Sequence, residues 1–406
     1  LEIGMHRLAA FVIAIICFSG ASLAGENAPD LSDWSAVEAK ARGQTVYWNA
    51  WAGEPSINAY IVWAGKQVLQ RHGVRIEHVK LSDTAEAVAK VIAEKAAGRT
   101  SGGSVDLIWI NGANFAAMKQ RGLLYGPWAR WLPNYRLLDL ENKAPVLSRD
   151  FGVPTEGYEA PWDLAQLVFY YDSARVASPP RSAEEWLSYA RANPGRLAYP
   201  DVQNFLGATF VKQLLIALAP DASALFSSPS DAVFARTTAP LWPYLDALNP
   251  LLWRRGKVFP ANSAELRQIL ADGETDVAFS FNPSEASLAI SRRELPETVR
   301  SYVFYGGTIG NASFLAIPYN SRNKEGAMVV ANFLLGADAQ ARKQDPSVWG
   351  GHTVLSVAKL DSSERELFKT LKPGLSPADL GPALPEPHAD WMLRLRDMWL
   401  QRYASQ

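Results

Sequence analysis

One stretch, Gln44 to Gln70, constrains the possible folds of this chain more than any other. Thr45 to Ala50 (Thr-Val-Tyr-Trp-Asn-Ala) is short, β-branched and aromatic, and reads as a buried strand. Gly53 and Pro55 break it. Ser56 stands where a helix N-cap belongs, and Ile57, Tyr60, Ile61, Ala64 and Val68 follow at helical spacing towards a stop at Gly73. Strand, polar-aromatic loop and helix make the unit of an open α/β sheet. In such a sheet a ligand sits beyond the carboxyl end of the strand, against the helix N-terminus. The loop through Asn49, Trp51, Glu54 and Ser56 is therefore a candidate cleft wall.

The unit recurs. Val74 to Leu81 reads as a second strand, followed by a helix carrying Val88, Val91 and Ile92 that ends near Gly98. Ser104 to Ile110 is a third strand and runs into Asn111-Gly112-Ala113-Asn114. Repeated strand-loop-helix predicts a parallel sheet. Residues 127–160 are rich in Pro, Trp and Tyr without a long period and read as connecting structure. A second series then begins. Arg196 to Tyr199 reads as a strand, Pro200 to Asn204 as a loop and Leu206 to Leu218 as a helix. Val277 to Phe281 is a strand ending at Asn282. Gly306 to Asn311, with Thr308 inside it, reads as a glycine-rich loop that lets backbone approach closely. Ser313 to Ile317 is a strand, Lys324 to Leu335 a helix, and a last helix starts at His388. The expected division is an export segment over 1–24, a first lobe from 25–160 plus about 314–406, and a second lobe from about 161–313.

Composition narrows the function classes. A chain of 406 residues exceeds one typical domain. A formal net charge of -1 argues against a nucleic-acid partner held by bulk electrostatics. Met5 to Ala24 has a short basic start, an apolar run from Leu8 to Phe18 and small residues at Ser22 and Ala24. That is the pattern of a cleaved export signal, with the mature chain starting at Gly25. The only cysteine, Cys17, lies inside that run after Ile16, where a lipid-anchor site wants a small residue. The mature chain is therefore expected to have no thiol chemistry and no Cys-ligated metal.

No catalytic pattern stands out. His72, His78, His352 and His388 lack partners at ligand spacing, and neither a Gly-x-Ser-x-Gly elbow nor a phosphate loop occurs. An exported hydrolase would need Glu156 or Asp163 close to a histidine. Tyr170-Tyr171 invites comparison with ferric-iron sites, but on a strand adjacent rings face opposite sides. Trp51, in a loop, and Trp162, after a proline at the lobe junction, are the aromatic candidates for a ligand wall. Asn49, Asn111, Asn114, Asn204, Asn282 and Asn311 recur at strand ends. Each either terminates a turn or contacts a ligand.

Three stretches carry a resemblance to a known family: Gln44-Thr-Val-Tyr-Trp-Asn-Ala-Trp-Ala-Gly-Glu-Pro-Ser-Ile-Asn58, Ala97-Gly-Arg-Thr-Ser-Gly-Gly-Ser-Val-Asp-Leu-Ile-Trp-Ile-Asn-Gly112 and Gly307-Thr-Ile-Gly-Asn311. The chain resembles the family 1 extracellular solute-binding proteins of ABC importers, in their YnjB-like branch, over nearly all of its mature length. The resemblance implies a type II periplasmic binding fold, in which two α/β lobes joined by a hinge enclose a ligand cleft. It implies a periplasmic monomer, without cofactor, serving a membrane permease and its ATPase. It leaves the solute open, since relatives bind thiamine, polyamines, ferric iron or small anions. An aromatic site with neutral amides and carboxylates suits an organic cation. Ser56 and Thr308 keep an anion open.

Overall fold

The computed structural model describes residues 33–369 and 381–403. The expected export segment, its cleavage after Ala24 and Cys17 lie outside them. Eleven strands are described: β1 (Thr45–Trp51), β2 (Arg75–Leu81), β3 (Leu107–Ile110), β4 (Arg149–Asp150), β5 (Val153–Pro154), β6 (Glu159–Gln166), β7 (Val168–Asp172), β8 (Val277–Ser280), β9 (Val299–Tyr302), β10 (Thr308–Ala316) and β11 (Ala383–Leu384). The organising unit forms as its pattern predicts, with helix Pro55–His72 behind β1. Glu54, not Ser56, takes the N-cap position, because Pro55 already fits the first helical turn. Gly73 ends the helix in the left-handed conformation at φ 67°.

β2 and β3 lie parallel on the two edges of β1. β10 continues the sheet antiparallel beside β3, and β6 runs antiparallel along the other edge of β10. β11 pairs in parallel with Thr308 and Ile309 at the start of β10. A second sheet is antiparallel throughout, in the order β8-β7-β9. Arg196 to Tyr199 joins neither sheet. Its carbonyls accept single hydrogen bonds from Asp276 and Trp253 backbone N–H groups, so the expected strand is extended but unladdered.

Gly306 to Asn311 departs most clearly from the loop expectation, since from Thr308 it is strand. The close approach predicted for its glycines is real. A Cβ on Gly307 (φ 91°) would lie 2.2 Å from the Pro382 carbonyl oxygen, and one on Gly310 2.9 Å from the Ala383 Cβ. The glycines admit β11 to the edge of β10.

Among the described residues two large hydrophobic cores result, with a third, small cluster of Ala116, Phe151 and Ala389. The first takes residues from Val37 to Trp162 and again from Ala312 to Leu360. The second takes residues from Leu167 to Phe304 and then Trp391, Leu395 and Trp399. Helix Ala389–Tyr403 thus packs on the second core, which corrects its expected place with the first lobe. Its apolar face fits against Phe234, Tyr199 and Phe259. The chain passes between the cores at β6–β7, at β9–β10 and again after β11.

Candidate ligand-binding site between the lobes

The carboxyl ends of β1 and β3 face the second lobe, as the open-sheet rule requires. Trp51 is half-buried there, edge-on to Trp109 at 6.5 Å between ring centroids. Gly53 lets the following loop fold over the indole, where a Cβ would sit 2.2 Å from the ring. Asn111 and Asn114 are half-buried, and among the described residues their side-chain amides have no hydrogen-bond partner. These three of the expected residues remain open to a ligand.

Others are engaged inside the protein. Asn49 is 1% exposed and donates to the Tyr47 carbonyl, because β1 continues two residues past it. Trp162 is fully buried against Trp48, Trp109 and Trp349, so it is core and not cleft wall. Asn204 caps helix Phe205–Leu218 by accepting from Leu206 N–H at 2.9 Å. Thr308 is buried and accepts from Gln166 Nε2 at 3.1 Å in the hinge.

Two further expected residues stitch the lobes together. Glu54 Oε1 accepts from Ser56 Oγ at 3.2 Å and from Arg292 Nη1 of the second lobe at 3.1 Å. Asn282 donates to the Trp349 carbonyl at 2.9 Å, and Ser284 Oγ donates to that of Gly350. Neither carboxylate singled out for hydrolysis meets a histidine. Glu156 pairs with Lys119, and Asp163 with the buried Lys343 at 2.6 Å. Burial lowers the His352 pKa to about 4, with Lys343 and Lys143 adding to the effect. Tyr170 is fully buried, while the half-buried Tyr171 ring meets Tyr302 edge-on.

A cavity of about 460 Å³ lies beside the hinge strand. Its floor is β10, with Asn311 and Phe314. Phe151 comes from the first lobe, Phe226 from the second, and Glu386 from the segment after β11. Asn311 Nδ2 donates to Glu386 Oε1 at 2.9 Å. Lys212 Nζ donates to Glu386 Oε2 at 2.5 Å and lies 4.7 Å from the Phe151 ring centroid. Burial pushes the Lys212 pKa down, opposed by Glu386. Asp150 also faces the cavity. It is 1% exposed, and both its carboxylate oxygens accept from Gly112 N–H, at 2.8 and 2.7 Å. Burial raises its pKa to about 8, against the lowering by the Gly112 hydrogen bond; Glu386 adds to the rise and Lys212 opposes it.

Of the residues expected from sequence, only Asn311 lines this cavity. Asp150, Phe151, Lys212 and Glu386 were missed. Lys212 had a visible signal, because it is the one charged residue in the largely apolar helix Phe205–Leu218. Arg292 had none.

The profile of the bacterial extracellular solute-binding protein family matches residues 63–360. Protein YnjB of Escherichia coli (strain K12) is 45% identical over 374 residues, 92% of this chain and 95% of that protein. Among solved structures, the Tp0655 (TpPotD) lipoprotein of Treponema pallidum superposes with a TM-score of 0.64 at 16% identity, over 88% of this chain and 99% of that one. The periplasmic binding protein AfuA of Actinobacillus pleuropneumoniae, with fructose-6-phosphate bound, gives 0.61 at 16% identity, over 89% and 99%. The fold is that of type II periplasmic binding proteins. The chain belongs to the bacterial extracellular solute-binding proteins of ABC importers, and is a binding protein and not an enzyme.

Proposed function

We propose that this protein captures a small organic cation between its lobes in the periplasm, as a monomer, and delivers it to a membrane permease driven by a cytoplasmic ATPase. The carrying observation is the cavity at the hinge strand. It has phenyl groups from both lobes and a buried carboxylate, Asp150, that forms no ion pair among the described residues. Pockets of this size with few convergent polar groups are the usual small-molecule sites.

One structural neighbour, from Listeria monocytogenes, carries the description putative spermidine/putrescine ABC transporter, while AfuA, equally similar in fold, holds fructose-6-phosphate. The two hydroxyls that kept an anion open in the sequence are engaged within the protein. Ser56 spends its hydroxyl on Glu54, and Thr308 is bonded to Gln166. Ferric iron lacks a convergent tyrosine pair, because Tyr170 and Tyr171 lie on opposite faces of β7. The test is mass spectrometry of the solute released from protein purified out of the exported fraction, followed by calorimetry with that solute. Release of a sugar phosphate or another anion defeats the reading.

A further inference from the structure

Of the charged side chains that line the cavity, Arg149, Asp150 and Glu386, Asp150 is left without a cation. Glu386 is matched by Lys212, itself fully buried, and its other oxygen is satisfied by Asn311. Arg149, adjacent to Asp150, donates Nη1 to the Gly152 carbonyl. Among the described residues Asp150 receives the Gly112 N–H alone, shared between its two oxygens. Behind the cavity, on β6, Glu159 is a second buried carboxyl with no hydrogen-bond partner among the described residues; burial raises its pKa and Asp150 adds to the rise. Lys119, the nearest cation to Glu159, is spent on Glu156 and the Pro154 carbonyl. An ionised, unpaired carboxylate in such a place is costly, and it either holds a proton or takes a cation. Phe226 and Phe314 line the same cavity, and Phe151, which also lines it, already carries the Lys212 ammonium at 4.7 Å; phenyl rings are suitable neighbours for a positive charge.

We propose that Asp150 recognises the positive end of the solute, and that it gives up its proton when the solute enters. The proposal rests on the cation reading above and names its counter-charge. In the empty cavity the Asp150 carboxyl is protonated at neutral pH, held so by burial. A bound ammonium or quaternary nitrogen stabilises the carboxylate, so the proton leaves to solvent and the total charge in the cavity is unchanged. Glu386 does not share the role, because Lys212 and Asn311 already occupy its two oxygens. The sign follows. Below about pH 8 solute and proton compete, and affinity rises with pH by up to about tenfold per unit; above it affinity is flat.

The experiment is isothermal titration calorimetry of the full chain with 1,4-diaminobutane and with thiamine, in Tris and in phosphate. At least one of the two should bind with release of close to one proton at pH 7, and release should fade above the Asp150 pKa. Asp150→Asn should weaken that binding at least about tenfold and abolish the proton release. The proton count on the unaltered protein stands by itself if Asp150→Asn folds poorly. Binding with no proton linkage, or equal binding by the variant, overturns the role of Asp150 and leaves the cation reading intact. Failure of both amines to bind the unaltered protein overturns the cation reading and this inference with it.

Discussion

Lys212 and Glu386 illustrate what single residues contribute here. Both are buried, they are 174 positions apart in sequence, and each would be a stranded charge without the other. Breaking a buried pair on one side costs about 3–5 kcal/mol, because the remaining charge is uncompensated. Lys212→Met should therefore lower unfolding free energy by that order in urea titration, and adding Glu386→Gln should restore much of the loss. An unchanged midpoint in the single variant would contradict the pairing. Asp150 gives a pH-dependent prediction. Its folded pKa, about 8, lies above the ordinary 3.8. The stability it lends is fully present below the ordinary value and is lost as pH rises through the folded one. In solute-free protein the melting temperature of Asp150→Asn, relative to the parent, should climb from pH 5 to pH 8 and then level. A difference that stays flat across that window would mean the carboxyl is ionised throughout.

At the scale of elements, hydrophobic period and capping residues marked most helices and the first three strands. Helix Phe205–Leu218 with Asn204 as its cap, and helix Lys324–Leu334, sit within a residue of their sequence limits. β10 was only half legible. Its Gly307-Thr308-Ile309-Gly310 start has the composition of a turn, and it becomes strand because β6 and β11 pair with it. Gly307→Ala should expel β11, since the new Cβ meets the Pro382 carbonyl oxygen and φ is 91°. The expected loss is about 1–3 kcal/mol in denaturant titration, with faster amide exchange in Ala383 and Leu384. Trp51 and Trp162, alike in sequence as wall candidates, should now part company. Trp162→Ala should cost about 3–5 kcal/mol of stability as a large-to-small core change. Trp51→Ala should weaken solute binding by about 1–3 kcal/mol with a smaller effect on folding. Calorimetry and thermal melts on the same two variants separate the roles.

The whole molecule is two cores joined at three passages, with the Glu54–Arg292 ion pair and the Asn282 and Ser284 hydrogen bonds crossing the seam. A solute touching both lobes stabilises their closed arrangement. Small-angle scattering should show compaction when the identified solute is added. Arg292→Ala removes a partly exposed pair worth about 0.2–1 kcal/mol. It should shift solute-free protein towards a larger radius of gyration by a few-fold change in population, with almost no change in melting. Identical scattering curves for parent and variant would show that the pair does not hold the lobes.

Sequence by itself determined the alternation of strand and helix, the family and most helix ends, because these depend on periodicity and on neighbours a few residues away. Whether a polar residue at a strand end caps a helix, satisfies its own backbone or faces a solute is not local information. Asn204 and Asn114 look alike in sequence, yet one accepts from Leu206 N–H and the side chain of the other has no hydrogen-bond partner among the described residues. Asp150, Asn311 and Glu386 meet only because β11 pairs with β10 and carries the tail past the first lobe. Their chemistry comes from burial and from one another's charge, and only the tertiary fold supplies either.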